Sequence, residues 1–154
     1  MQQLAKLRQF IEALNLVDAN QIDAWAENID ITVKGKMHGD GMTLLQTKYM
    51  AIVDIEGWPH ATAPVNLLFA HVVGWLGDHD SLYVDGEQRQ LSITPTIIDD
   101  QVADLELAIE FVEHVQVVEH PEGVIMAFGK RWNLESADIN VADELGQLDA
   151  SIAP

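Results

Sequence analysis

The chain has 154 residues, 48% hydrophobic and 21% charged, a size and balance that suit one folded domain with its own core and exclude a disordered protein. Its 25 acidic residues against 8 basic ones leave a formal charge of −17, which excludes binding that works by neutralising nucleic-acid phosphates or an anionic membrane surface. There is no cysteine, hence no disulfide framework, thiolate nucleophile or sulfur-ligated zinc, and no apolar run reaches the roughly 18 residues of a membrane span.

From Met1 to Phe10 the chain carries Gln2, Gln3, Lys6 and Arg8 in place of a signal-peptide core, so synthesis and use in solution are expected. Leu4, Leu7, Phe10, Ile11 and Leu14 fall at helical spacing and predict an opening helix over Gln2 to Leu16. Asp18 or Asn20 is placed to cap a short second helix through Ile22, Trp25 and Ala26, after which Ile29, Ile31 and Val33 alternate as a first strand. KGKMHGDGM, from Lys34 to Met42, has three glycines and little to bury, the composition of a mobile hairpin or loop. The nearly continuous apolar run between Gln46 and Glu56 predicts a central strand covered on both faces.

Gly57, Trp58 and Pro59 break that strand. Thr62 is placed to cap a helix with Pro64 in its first turn, Val65, Leu68, Phe69, Val72, Val73 and Leu76 facing a sheet, and Gly77 as its stop. After turns at Asp78 to Asp80 and Asp85-Gly86, a strand resumes through Leu91, Ile93 and Ile97, which Pro95 confines to a sheet edge. Alternation from Asp104 to Phe111, continued by Val115 and Val117, predicts a strand with one wet face. The turn His120 to Gly123 then returns it as Val124 to Phe128 in a hairpin. Residues 133–154 read as an acidic tail with a weak helix near Val141 to Leu148, leaving 1–132 as a single domain. The fold class expected is α/β in the α+β sense: a mixed, largely antiparallel sheet of about four to five strands flanked by helices.

Constellations for catalysis are weak. His38 with Asp40, the Asp78-His79-Asp80 turn, and Asp99 with Asp100 offer metal-ligating atoms but no recognised ligand spacing, and solvated turns explain them as well. His71 and His114 sit inside a predicted helix and strand, where a structural imidazole is the commoner role. The glycines of KGKMHGDGM lack the order and hydroxyl of a phosphate loop, and no serine sits in a nucleophile elbow. No catalytic residue, metal or cofactor is assigned.

One larger pattern remains. The strand Lys48-Tyr49-Met50-Ala51-Ile52-Val53-Asp54-Ile55-Glu56-Gly57 leads into an apolar helix closing in Trp75-Leu76. An extended segment near Leu91 to Ile98, the long acidic strand Ala103 to Val118 and the return at Val124 to Phe128 follow. In that order of elements, about Leu44 to Lys130 resembles the phage tail completion protein R family of contractile tails. The resemblance implies a tail-terminator-like fold and a virion structural protein without cofactor or catalysis, assembled in the host cytoplasm. It implies a homo-hexameric ring at the head-proximal end of the tail that touches tube, sheath and neck proteins while DNA passes through without specific binding.

Under that reading the glycine-loop residues Lys34, Lys36 and His38, and then Lys130 and Arg131, are the candidates for contact with acidic partners. The strand residues Val124, Met126 and Phe128, with Trp58 and Trp132, are candidates for the subunit interface, although each tryptophan has an equally ordinary place in the core. Two other classes stay open: a small-ligand or regulatory module using a pocket between helix and sheet, and a metal-dependent enzyme using the Asp78-His79-Asp80 turn.

Overall fold

The computed structural model describes residues 1–135. α1 (Gln2–Ala13) buries Leu4, Leu7 and Ile11, the single stripe its spacing predicts. It has no side-chain cap of its own. Glu113 instead accepts hydrogen bonds from the backbone N–H groups of Gln2 (3.0 Å) and Gln3 (3.1 Å), setting a carboxylate where the helix leaves its amides unpaired.

A single 3₁₀ turn (Ala19–Gln21) follows, closed by the Asp18 amide donating to Gln21 Oε1 at 2.8 Å. The short helix expected through Ile22, Trp25 and Ala26 does not form, because these residues lie in β1 (Ile22–His38). Ile22, Ala24 and Ala26 reach the core at period two, a pattern that the i, i+3, i+4 spacing of Ile22, Trp25 and Ala26 masks. Beyond Asn28, whose φ of 54° breaks the alternation, Ile29, Ile31 and Val33 face solvent and not a core. The glycine segment is a tight hairpin: β1 ends at His38, Gly39 turns with φ 60°, and β2 (Gly41–Trp58) begins at once.

α2 (Val65–His79) has Pro64 at its N-cap; Thr62, expected as its cap, donates to the carbonyl of Pro59 at 3.3 Å instead. The helix also runs through Gly77. Trp75 and Leu76 anchor its last turn in the core, and His79 stacks on Trp75 at 5.5 Å, so the hydrogen-bonded spiral outlasts the glycine. β3 (Tyr83–Val84) and β4 (Glu87–Gln88) form a hairpin over Asp85-Gly86, both at positive φ as a type I′ turn requires. β5 (Leu91–Ile97) pairs antiparallel with β6 (Ala103–Glu119) alone, so Pro95 stands on an edge as predicted.

The return from β6 is not Val124 to Phe128. β8 (Lys130–Leu134) pairs with β6, Val117 facing Leu134 and Glu119 facing Trp132, and β7 (Ile125–Ala127) pairs outside β8. Burial of Trp132 decides this, since the strand that carries it must lie inside. Asn133 and Leu134 belong to β8, while the helix suggested at 141–148 lies outside the described residues.

The described chain packs as two compact units, Met1–Ile31 with Thr47–Glu113, and Thr32–Gln46 with residues 114–135. The first holds a sheet ordered β1-β2-β6-β5. Tyr49, Ala51, Val53 and Ile55 of β2 and Leu105, Leu107, Ile109 and Phe111 of β6 form one apolar face, closed by Leu7, Ile11, Leu68, Val72 and Leu76 of the helices. The second has strand order β1-β2-β6-β8-β7 and a small core of Met42, Val117 and Trp132. The class is α+β, with the sheet dominant and largely antiparallel.

Candidate functional site

The second unit presents two surfaces. The first is the β7–β8 hairpin. Gly123 opens it, and only glycine fits there, because an added Cβ would lie 2.4 Å from the Trp132 carbonyl oxygen. Trp132 then locks the hairpin from inside, its Nε1 donating to the Ala127 carbonyl at 2.8 Å. Arg131 donates to the Gly123 carbonyl at 3.2 Å, and Lys130 pairs with Glu119 at 3.3 Å. What this scaffold holds outward is apolar: Val124, Met126 and Phe128 are 84%, 75% and 68% exposed. Phe128 and Gly129 form the two-residue turn with φ of 53° and 74°, a left-handed backbone that a bulky side chain seldom adopts. A depression of ≈ 680 Å³ lies beside it, lined by His120, Pro121, Met126, Phe128 and Arg131 among others.

The second surface is polar. Lys34, Lys36, Thr43, His114 and Gln116 line a notch of ≈ 330 Å³. Gln116 Oε1 holds its rim together, accepting from Thr43 Oγ1 at 2.8 Å and lying 2.8 Å from His38 Nε2. The structure thus gathers Lys34, Lys36 and His38 around the notch, and places Lys130 and Arg131 at the start of β8, where Lys130 reaches Glu119 of β6 and Arg131 the carbonyl of Gly123. His114, Thr43 and Gln116 were missed as site residues. Their signal was available in principle, since Gln116 and His114 alternate with the buried Val117 side of β6.

Trp58 and Trp132 are 0% and 1% exposed, each closed within its own unit, and Trp58 Nε1 donates to the Ala63 carbonyl at 2.8 Å.

The remaining candidates have structural partners. Asp80 faces Arg89 at 3.4 Å, and His79 is stacked on Trp75. Asp99 accepts from the amides of Gln101 and Val102, which hold its carboxyl below the usual carboxylate range. Burial pushes Asp54 upward, with the carboxylates of Asp23 and Asp104 adding to it. Burial likewise raises the Tyr49 hydroxyl, which donates to Glu113. Among the described residues no three acidic or histidine side chains gather as a metal site, and none of the helices is long and apolar enough to cross a membrane. The space between helices and sheet, where a ligand pocket was considered, is filled by the first unit's core.

The scaffold is thus a sheet-dominated α+β fold with open edges, an outward apolar hairpin and a basic notch. The chain belongs to the P2 phage tail completion protein R (GpR) family, whose model matches residues 1–136. It is also similar to an uncharacterized 19.2 kDa protein in the rep-hol intergenic region of Haemophilus phage HP1 (strain HP1c1). The two are 23% identical over 123 residues, which cover 79% of this chain and 74% of the relative. No solved structure matches. Membership makes this a phage tail completion protein of a structural family, a virion tail component that works in contact with other tail proteins.

Proposed function

We propose that the protein caps the head-proximal end of a contractile tail as a hexameric ring and forms the surface to which the neck attaches. The β7–β8 hairpin carries this reading. It ends the sheet with unpaired backbone groups and displays Val124, Met126 and Phe128, a combination that is a liability for a solitary protein and an asset for one that joins copies of itself. The same sheet has a second edge at β1. Pairing between unlike edges is heterologous, and it closes into a ring when its rotation closes.

Lys34, Lys36 and His38, with Lys130 and Arg131 in a supporting role, are assigned to acidic tube, sheath or neck partners. The charge of −17 fits a lumen whose carboxylates let DNA pass without adhering. The test is a chain carrying Val124→Asp, Met126→Asp and Phe128→Asp together. It should fold, stay monomeric in sedimentation and leave tails unable to join heads; rings of unchanged size would remove the hairpin from the interface and the reading with it.

A further inference from the structure

Most cations of this acidic chain already face a carboxylate. Arg8 meets Glu12 at 3.1 Å, Lys48 meets Asp85 at 3.0 Å, Arg89 meets Asp80 at 3.4 Å and Lys130 meets Glu119 at 3.3 Å. Lys34 and Lys36 have no such partner among the described residues. They stand on β1, and Thr43 of β2 with His114 and Gln116 of β6 completes their notch, which has no acidic wall residue although the chain has 25 to offer. Even Glu135, whose amide donates to the Gln116 carbonyl at 2.9 Å, makes no ion pair with either lysine.

The polar wall of the notch is oriented. Gln116 Oε1 accepts from Thr43 Oγ1 at 2.8 Å and lies 2.8 Å from His38 Nε2. With its oxygen committed to the rim, the amide presents Nε2, which donates to no group among the described residues and carries two N–H donors. Gln116 is half-buried while Lys34, Lys36 and His114 are exposed, so the charges lie at the mouth and the fixed donor lies deeper.

Two ammonium groups and a held amide donor suit an anion. Charge selects which one. Duplex DNA brings one charge for about every 1.7 Å of its axis, and a chain of −17 repels such a row as a whole. A pair of side-chain carboxylates brings two charges for two lysines, with acceptor oxygens for the amide.

We propose that this notch binds a pair of Asp or Glu side chains on a neighbouring tail protein. Lys34 and Lys36 each face one carboxylate, the Gln116 amide donates to one of them, and Thr43 and His38 are positioning residues that aim the amide. Only the source of the carboxylates rests on the function proposed above; binding them is a property of the isolated chain.

The probe is the peptide acetyl-Gly-Glu-Gly-Glu-Gly-amide, titrated into the full chain at low salt and followed by amide resonances. It should shift the backbone amides of Lys34 and Lys36 and the side-chain amide of Gln116, with a dissociation constant in the millimolar range, the scale of two exposed ion pairs and one hydrogen bond. The same peptide with glutamine for glutamate should leave them unmoved, and Lys34→Gln/Lys36→Gln should abolish the response. Thr43→Val should weaken binding about fivefold, the equivalent of one hydrogen bond, and Thr43→Ser should restore it. A threonine that only supports the strand would give one constant for all three chains and would remove the positioning role. Three outcomes overturn the proposal as a whole: no shift at those groups, an equal response to the glutamine peptide or to inorganic phosphate, or a duplex oligonucleotide that occupies the notch more tightly than the peptide. If the peptide fails to bind while the chain with Val124→Asp, Met126→Asp and Phe128→Asp still loses its rings, the inference falls and the function stands; binding beside rings that survive those substitutions gives the reverse.

Discussion

Phe128 holds a φ of 53° at the tip of a turn with most of its ring in water, a conformation that costs a non-glycine residue roughly 1–2 kcal/mol. A glycine beside it already occupies the other turn position, so nothing in the isolated fold calls for an aromatic there. Its ring reaches toward Gly35, where an added Cβ would lie 3.7 Å from Phe128 Cζ, yet it remains 68% exposed. Phe128→Gly is therefore expected to raise stability by about 1 kcal/mol in urea unfolding, and to reduce ring formation in the same preparation. A drop in stability would assign the ring to local packing.

At the scale of elements, the segment between α2 and β5 is held by Arg89. Its side chain is 4% exposed, its Nε donates to the Ser81 carbonyl at 2.9 Å, its Nη1 donates to the Glu110 carbonyl, and its guanidinium lies 5.3 Å from the centre of the Phe111 ring. Asp80 Oδ2, buried and without a hydrogen bond of its own, depends on the charge of Arg89 at 3.4 Å. Arg89→Met should cost about 3 kcal/mol, because it strands that carboxylate. Adding Asp80→Asn should recover part of the loss; if it recovers none, the carbonyl contacts and not the ion pair carry the effect. The long strands were legible from their alternation, as at Leu105, Leu107, Ile109 and Phe111. The strand through Ile29, Ile31 and Val33 was legible in the same way, but its exposure was not, because these residues alternate like a buried face and yet stand open to solvent.

For the whole molecule, charge is the dominant quantity. Copies carrying −17 each repel one another over roughly 10 Å at 0.1 M salt, and more widely below it. Self-association through an apolar hairpin should therefore strengthen as salt rises from about 0.01 M to 0.15 M, over which the screening length falls from about 30 Å to 8 Å. Sedimentation across that range measures it. Rings that dissociate as salt rises would place complementary charges, and not Val124, Met126 and Phe128, at the interface.

Composition and periodicity by themselves determined the opening helix, the apolar second helix, the edge position forced by Pro95 and the absence of thiol chemistry, since each follows from local spacing or from residues simply missing. The order of strands at the far end was decided only in three dimensions. Val124 to Phe128 and Lys130 to Leu134 are equally good strands in isolation, and burial of Trp132 over Gly123 puts the latter inside and the apolar former at the rim. The same holds for the notch. Lys34 and Lys36 were visible as charges, but pairing of β6 with the strands on either side is what sets His114, Gln116 and Thr43 around them and brings Glu135 to their edge.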